Sequence, residues 1–243
     1  MKSLGALVAG ALIVVSCSGT DAVSANVMST GGTVGTGQQR VLIELLDADR
    51  EAMALTDPPI ATLRDENGSP LGSYVGEPVW LVPGEAPAFA FWVEIPAADT
   101  YQVTVGTGDR GETRPVGLVA VDDTSQIDVG DPAPPIGGNP MIGPALVVFA
   151  SPKWCPSRSC QPMIDQVEAA SSAEGLEWFH VEVFANPEAS SEDDLVLSND
   201  VETWGLPSQP WAYVVDAGGA VSAVFEGAVS DEELADAIDR VDG

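Results

Sequence analysis

The chain has 243 residues, room for two small domains, and carries 37 acidic against 9 basic residues for a formal net charge of −28. So acidic a surface repels nucleic-acid phosphates and anionic lipid headgroups, which argues against DNA, RNA or peripheral lipid binding. It suits solubility and cationic or basic partners, and a solvated acidic surface accounts for it without a dedicated cation site.

Residues 1–16 read as a secretory signal, with Lys2 followed by an apolar stretch over 4–15. That stretch is shorter than the ~20 apolar residues a membrane-spanning helix needs. It ends in Val14-Val15-Ser16-Cys17, which resembles a bacterial lipobox. The resemblance implies cleavage before Cys17, diacylglycerol on its sulfur and a lipid anchor at the extracytoplasmic face of the cell membrane. More than one acyl chain gives stable anchoring where a single chain does not. An ordinary signal peptide with a chance cysteine at the cleavage site is the plain alternative. Residues 17–39 then form the lipidated cysteine and a tether rich in Ser, Gly, Thr and Ala, too poor in apolar side chains to order itself. The mature chain is expected in an oxidising compartment, where disulfides persist.

Residues 40–124 carry short β-type runs separated by turn residues: 41–46, 60–63, 79–82, 88–95, 101–105 and 115–121. Thr100-Tyr101-Gln102-Val103-Thr104-Val105 alternates polar and apolar, as a half-buried antiparallel strand does. Asp65-Glu66-Asn67-Gly68 is a turn signal. About ten residues per strand, without a helical pattern, predict an all-β sandwich of immunoglobulin-like type. The segment has no histidine or cysteine, and reads as a spacer or interaction module.

Residues 125–141, with Asp131-Pro132-Ala133-Pro134-Pro135, form a Pro/Gly linker that stays out of helices and central strands. From 142 to 243 the pattern alternates strand and helix. The apolar run 145–150 predicts a strand buried on both faces. Residues 162–174 predict a helix with Met163, Ile164 and Val167 on its apolar stripe. Strands follow at 178–184, 211–215 and 221–225, with a looser, partly helical stretch at 187–204. Ser230-Asp231-Glu232-Glu233 is a capping box that opens a last helix ending at Arg240. A right-handed crossover places the first two strands parallel, and Ala217-Gly218-Gly219 turns the last two into a hairpin.

Directly after the apolar run stands Trp154-Cys155-Pro156-Ser157-Arg158-Ser159-Cys160. With Cys17 lipidated, Cys155 and Cys160 are the remaining thiols and pair only with each other. Beyond residue 141 the basic residues are Lys153, Arg158 and Arg240, and two of the three flank or lie inside this motif. Positive neighbours favour a thiolate, so Lys153 and Arg158 are expected to support a reactive cysteine.

This order of elements, with Trp-Cys after the first strand, is similar to the thioredoxin fold from about residue 142 to 241. The resemblance implies that Pro210, in Leu206-Pro207-Ser208-Gln209-Pro210-Trp211, opens the strand before the hairpin with a cis peptide bond and lies against the cysteines. Asp131-Pro132-Ala133-Pro134 resembles the leading segment of membrane-tethered thioredoxin relatives. The whole layout looks like thioredoxin-family lipoproteins of high-GC Gram-positive bacteria. The family's usual pair has two intervening residues, whereas this pair has four. Five residues of α-helix advance ~7.5 Å, beyond the ~4.4–6.8 Å between disulfide-linked Cα atoms. A bridge therefore requires residues 156–159 to be a loop, with Cys160 at or just before the helix start and Cys155 the more exposed thiol.

The leading expectation is a cell-envelope thiol–disulfide oxidoreductase acting on protein thiols and disulfides, with Cys155 as nucleophile, Cys160 as resolving thiol and no cofactor. A permanent Cys155–Cys160 staple in a thioredoxin-fold binding lipoprotein is the alternative. A copper chaperone would need the two thiolates and His180. However, His180 stands mid-strand, and Sco-type chaperones have three residues between their cysteines. A peroxiredoxin would carry Thr or Ser where Pro152 stands. The sequence shows no serine-hydrolase elbow, phosphate loop or zinc spacing.

Overall fold

In a computed structural model the described residues are 23–124 and 126–241. The signal segment 1–16, Cys17 with its lipidation, and the first residues of the tether lie outside them.

Among the described residues nine strands precede residue 125: β1 Ser24–Val27, β2 Thr33–Val34, β3 Gly37–Leu46, β4 Ile60–Arg64, β5 Pro70–Val75, β6 Glu77–Val79, β7 Ala88–Ile95, β8 Thr100–Gly106 and β9 Val116–Ala120. They form one sheet in the order β1-β3-β7-β6 and another in the order β2-β9-β8-β4-β5. The sheets share a core in which Val41, Ile43 and Phe91 of the first meet Leu63, Val103 and Leu118 of the second. Alternation along the strands supplies these inward faces.

Two departures from the sequence expectations concern backbone pairing. Of the expected tether, residues 24–27 pair antiparallel with β3, Ser24 opposite Leu46 and Val27 opposite Ile43, residues 33–34 pair parallel with β9, and β3 itself begins at Gly37. An edge strand needs only backbone partners and a little burial, here Ala25 and Val27 packed against the core with buried Val23 just before the strand, so a Ser/Ala/Asn segment serves. β5 was not expected either. It is an edge strand with Pro70 at its first position, where the missing N–H costs nothing, and with exposed Leu71 and Val75. The predicted run 79–82 contributes only Val79, at the end of β6.

The expected linker is a strap rather than a free connection. Gly130 and Ala133 donate backbone N–H groups to the Val221 and Gly219 carbonyls at 2.8 and 2.9 Å, and Val221 N–H donates to Asp131 O at 2.9 Å. Ile127, Ala133, Ile136 and Met141 pack on the core beneath. Proline lacks an N–H, but its neighbours keep theirs, and those neighbours pair here.

Beyond the strap lie β10 Ala145–Phe149, α1 Cys160–Glu174, β11 Glu177–Val181, α2 Asn199–Trp204, β12 Trp211–Val215, β13 Val221–Glu226 and α3 Asp231–Asp239. The sheet order is β11-β10-β12-β13. β10 runs parallel to β11 and antiparallel to β12, and β12–β13 is antiparallel. This is the element order and strand polarity that the thioredoxin resemblance implies. Every residue of β10 and β12 is buried, because both faces are covered. One face packs on Met163, Ile164 and Val167 of α1 with Leu234 and Ile238 of α3. The other packs on α2 and the strap, around a cluster in which the Trp204 ring lies 5.0 Å from Phe149 and 4.7 Å from Tyr213. Burial, with the charges of Asp128 and Glu226, pushes the Tyr213 phenol far above its usual pKa. The capping box is present: the Ser230 hydroxyl accepts from Glu233 N–H, and the Glu233 carboxylate accepts from Ser230 N–H.

The same carboxylate joins the two halves of the molecule. Arg40 of β3 donates Nε and Nη2 to Glu233 at 2.6 and 2.9 Å, and Nη1 and Nη2 to the Glu226 and Ala228 carbonyls at 3.3 and 2.8 Å. Beside it, Leu42, Ala88 and Ala90, on the outer face of the first sheet, pack with Val79 and Ala228. A β-carbon on Gly227 would come within 3.0 Å of Leu42 Cδ2, and its φ of 78° favours glycine independently.

Candidate active site

β10 ends at Phe149, and the chain leaves the sheet through Ala150 and Ser151 into a single 3-10 turn over Pro152–Trp154. Cys155 follows in extended conformation. Arg158 takes a φ of 61°, the left-handed geometry that bends the loop back on itself. Cys160 is the first residue of α1. Cys155 and Cys160 form a disulfide with Cα atoms 6.1 Å apart. That is the loop geometry expected from the spacing: the four intervening residues are non-helical, and only the second cysteine belongs to the helix.

The two sulfurs have unlike surroundings. Cys155 is half-buried, whereas Cys160 is fully buried in the core beneath α1. Cys155 Sγ accepts from the Cys160 backbone N–H at 3.3 Å and lies 3.5 Å from the Ser157 hydroxyl, which is 2.8 Å from that of Ser159. The unpaired N–H groups of a helix's first turn favour negative charge, so this sulfur is placed to carry one. Beside it runs an open groove of ≈ 620 Å³ lined by Trp154, Cys155, Phe184, Leu197, Leu206 and Gln209. Leu197 is also exposed to solvent.

Lys153 and Arg158 are engaged differently from the expectation. Lys153 Nζ donates to the Pro187 and Ala189 carbonyls at 3.0 and 3.2 Å, and lies 4.9 Å from the Trp154 ring centroid. Trp154 Nε1 donates to the same Pro187 carbonyl at 2.9 Å. Together these residues, which line the groove, pin the 187–189 loop. Arg158 forms a two-pronged pair with Glu85 at 3.1 and 2.8 Å, reaching the loop between β6 and β7. The groups that do touch the Cys155 sulfur are neutral donors. Long cationic side chains find carbonyls and carboxylates within reach, and sequence proximity does not aim them.

The Gln209–Pro210 bond is cis, as the resemblance implies. The side chain before it reaches the cysteines: Gln209 Oε1 lies 3.7 Å from Cys160 Sγ. The sequence carries one signal for Gln209, its position before the predicted cis-proline. His180 is exposed, and its Nε2 is 2.9 Å from the Ala150 carbonyl, an oxygen that takes the ring's N–H. Among the described residues no group of three or more His, Cys, Asp or Glu side chains is arranged to hold a metal.

No protein-family model matches the chain, and no curated protein is significantly similar to it. Solved structures do match. A thio-disulfide isomerase from Thermus thermophilus is 24% identical, with 47% of this chain and 97% of that one covered and a TM-score of 0.36. A putative thiol:disulfide interchange protein DsbE from Chlorobium tepidum is 20% identical, with 49% and 100% covered and a TM-score of 0.35. The Lin-41 filamin domain is 13% identical, with 42% and 93% covered and a TM-score of 0.29.

Proposed function

We propose that this protein is a membrane-anchored, extracytoplasmic thiol–disulfide oxidoreductase in which Cys155 exchanges with substrate and Cys160 resolves. One observation carries the reading: a single disulfide joins a half-exposed sulfur, at a helix N-terminus and beside an open groove, to a fully buried one. In the reducing direction the Cys155 thiolate attacks a substrate disulfide. A Cys155–substrate disulfide forms and one substrate thiolate leaves. Cys160 then gives up its proton and attacks Cys155 Sγ. The internal disulfide closes, and the second substrate thiolate leaves and takes up the proton. The protein dithiol loses two electrons, and the substrate disulfide gains them. The oxidising direction is the reverse.

Replacing Cys155 with Ser should abolish disulfide exchange on a cysteine-bearing peptide, and unchanged exchange would overturn the assignment. The second reading, a permanent staple, draws on the ties that hold the loop at Arg158 and Gln209. A reduction potential below about −300 mV would select it.

The lipid anchor rests on the Val14-Val15-Ser16-Cys17 motif. The full chain should partition into the detergent phase of a Triton X-114 extraction, and a Cys17→Ser chain into the aqueous phase. The immunoglobulin-like reading of residues 40–124 rests on short antiparallel strands in two facing sheets.

A further inference from the structure

The two cysteine sulfurs face opposite kinds of hydrogen-bonding group. Cys155 Sγ meets donors, the Cys160 N–H and the Ser157 hydroxyl. Cys160 Sγ meets an acceptor, Gln209 Oε1, at 3.7 Å. The orientation of that amide is set by backbone on both sides. Oε1 accepts from Ser151 N–H at 2.6 Å, and Nε2 donates to the Trp154 carbonyl at 3.0 Å. A flipped amide would set NH2 against N–H and oxygen against oxygen. A carbonyl oxygen has two lone pairs, so the Ser151 bond leaves Oε1 able to accept once more. In the disulfide Cys160 has no proton to give. On reduction it becomes an S–H donor within reach of that oxygen.

We propose that Gln209 holds Cys160 as the protonated thiol in the reduced protein, and thereby assigns the thiolate to Cys155. An acceptor stabilises the neutral form of a thiol and donors stabilise the anion, so the two contacts move the sulfurs in opposite directions. An amide cannot itself take the proton. Cys160 therefore stays protonated through the first exchange and gives its proton up only as the departing substrate thiolate becomes basic enough to receive it. The proposal rests on the oxidoreductase reading for its purpose, but the proton assignment can be measured without catalysis.

The test is pH-dependent alkylation of the fully reduced chain with iodoacetamide, each modified cysteine being located by mass spectrometry, in the wild type, Gln209→Met and Gln209→Glu. In Gln209→Met the side chain keeps its length but loses the acceptor. The Cys160 reaction midpoint should fall, speeding Cys160 modification about three- to tenfold at a fixed pH below it. In Gln209→Glu a carboxylate faces the same sulfur, and the midpoint should rise above the wild-type value. A purely structural role moves both variants the same way. Movement in one direction by both variants, or in neither, would overturn the proposal, given that each regains the Cys155–Cys160 disulfide and the wild-type circular dichroism spectrum. Opposite shifts in a protein that exchanges no substrate disulfide would uphold the proton assignment and sink the oxidoreductase reading instead.

Discussion

The two regions of this molecule bury their strands in different ways, and the difference explains where the Cys155–Cys160 disulfide sits. In the N-terminal sandwich the strands away from the other region leave one face open: β4 alternates, and β5 is largely exposed. In the C-terminal region β10 and β12 are buried along their whole length. The parallel crossover β10–α1–β11 brings the carboxyl end of one strand and the start of the following helix to the same edge. Cys155 and Cys160 lie at that edge. Among its described residues the sandwich has no α-helix, and offers only turns and the short 3-10 helices Ser29–Gly32 and Gly108–Arg110. Where the regions meet, the sandwich ceases to be one-sided, since Leu42, Ala88 and Ala90 are covered on its outer face.

The largest expected effect tests that junction. The Arg40 and Glu233 side chains are 6% and 7% exposed, and breaking a buried pair leaves an uncompensated charge. Arg40→Ala should cost about 3–5 kcal/mol in urea unfolding, at the upper end because two carbonyls also lose their donor. A cost below ~1 kcal/mol would show that the regions fold independently. Trp204→Ala should follow closely, at about 3–5 kcal/mol, because it empties the aromatic cluster on one face of the doubly covered sheet.

Acidification probes the same junction. Burial opposes ionisation of Glu233, but hydrogen bonds and charge from Arg40, together with Ser230, outweigh it and hold the carboxyl below the usual carboxylate range. A depressed pKa contributes stability above the unfolded value of roughly 4.3 and loses it as pH falls through the folded value. Unfolding free energy should drop on acidification below about pH 4, and less steeply in Arg40→Ala. Equal slopes in both proteins would disconnect the pair from acid stability.

Reducing the disulfide opens a short loop, and chain entropy puts its contribution at about 2 kcal/mol. Comparing urea midpoints with and without reductant measures this. The smallest effect belongs to the second link between the regions. Arg158 and Glu85 are 69% and 48% exposed, so Glu85→Ala should change stability by less than ~1 kcal/mol and the remainder should fade with salt. A larger, salt-resistant loss would mean that the sandwich holds the cysteine loop in place.

Much of the C-terminal region is legible in order and type because its signals are local. The apolar run, the Met163/Ile164/Val167 stripe, the Ser230–Glu233 capping box and the four-residue cysteine spacing each depend on residues within a turn or two of one another. The spacing alone excludes a disulfide along a regular helix, and the loop observed between Cys155 and Cys160 follows from that arithmetic. What only the tertiary structure decided is every partnership between distant segments. The pairing of residues 24–27 with β3, the strap over 127–141, the turning of Arg158 towards Glu85 and the reach of Gln209 to Cys160 all join residues far apart in the chain. Backbone pairing is indifferent to side-chain pattern, and long polar side chains bond to whatever the fold brings near. A linear sequence can therefore state which groups are available here, while the fold alone selects which of them meet.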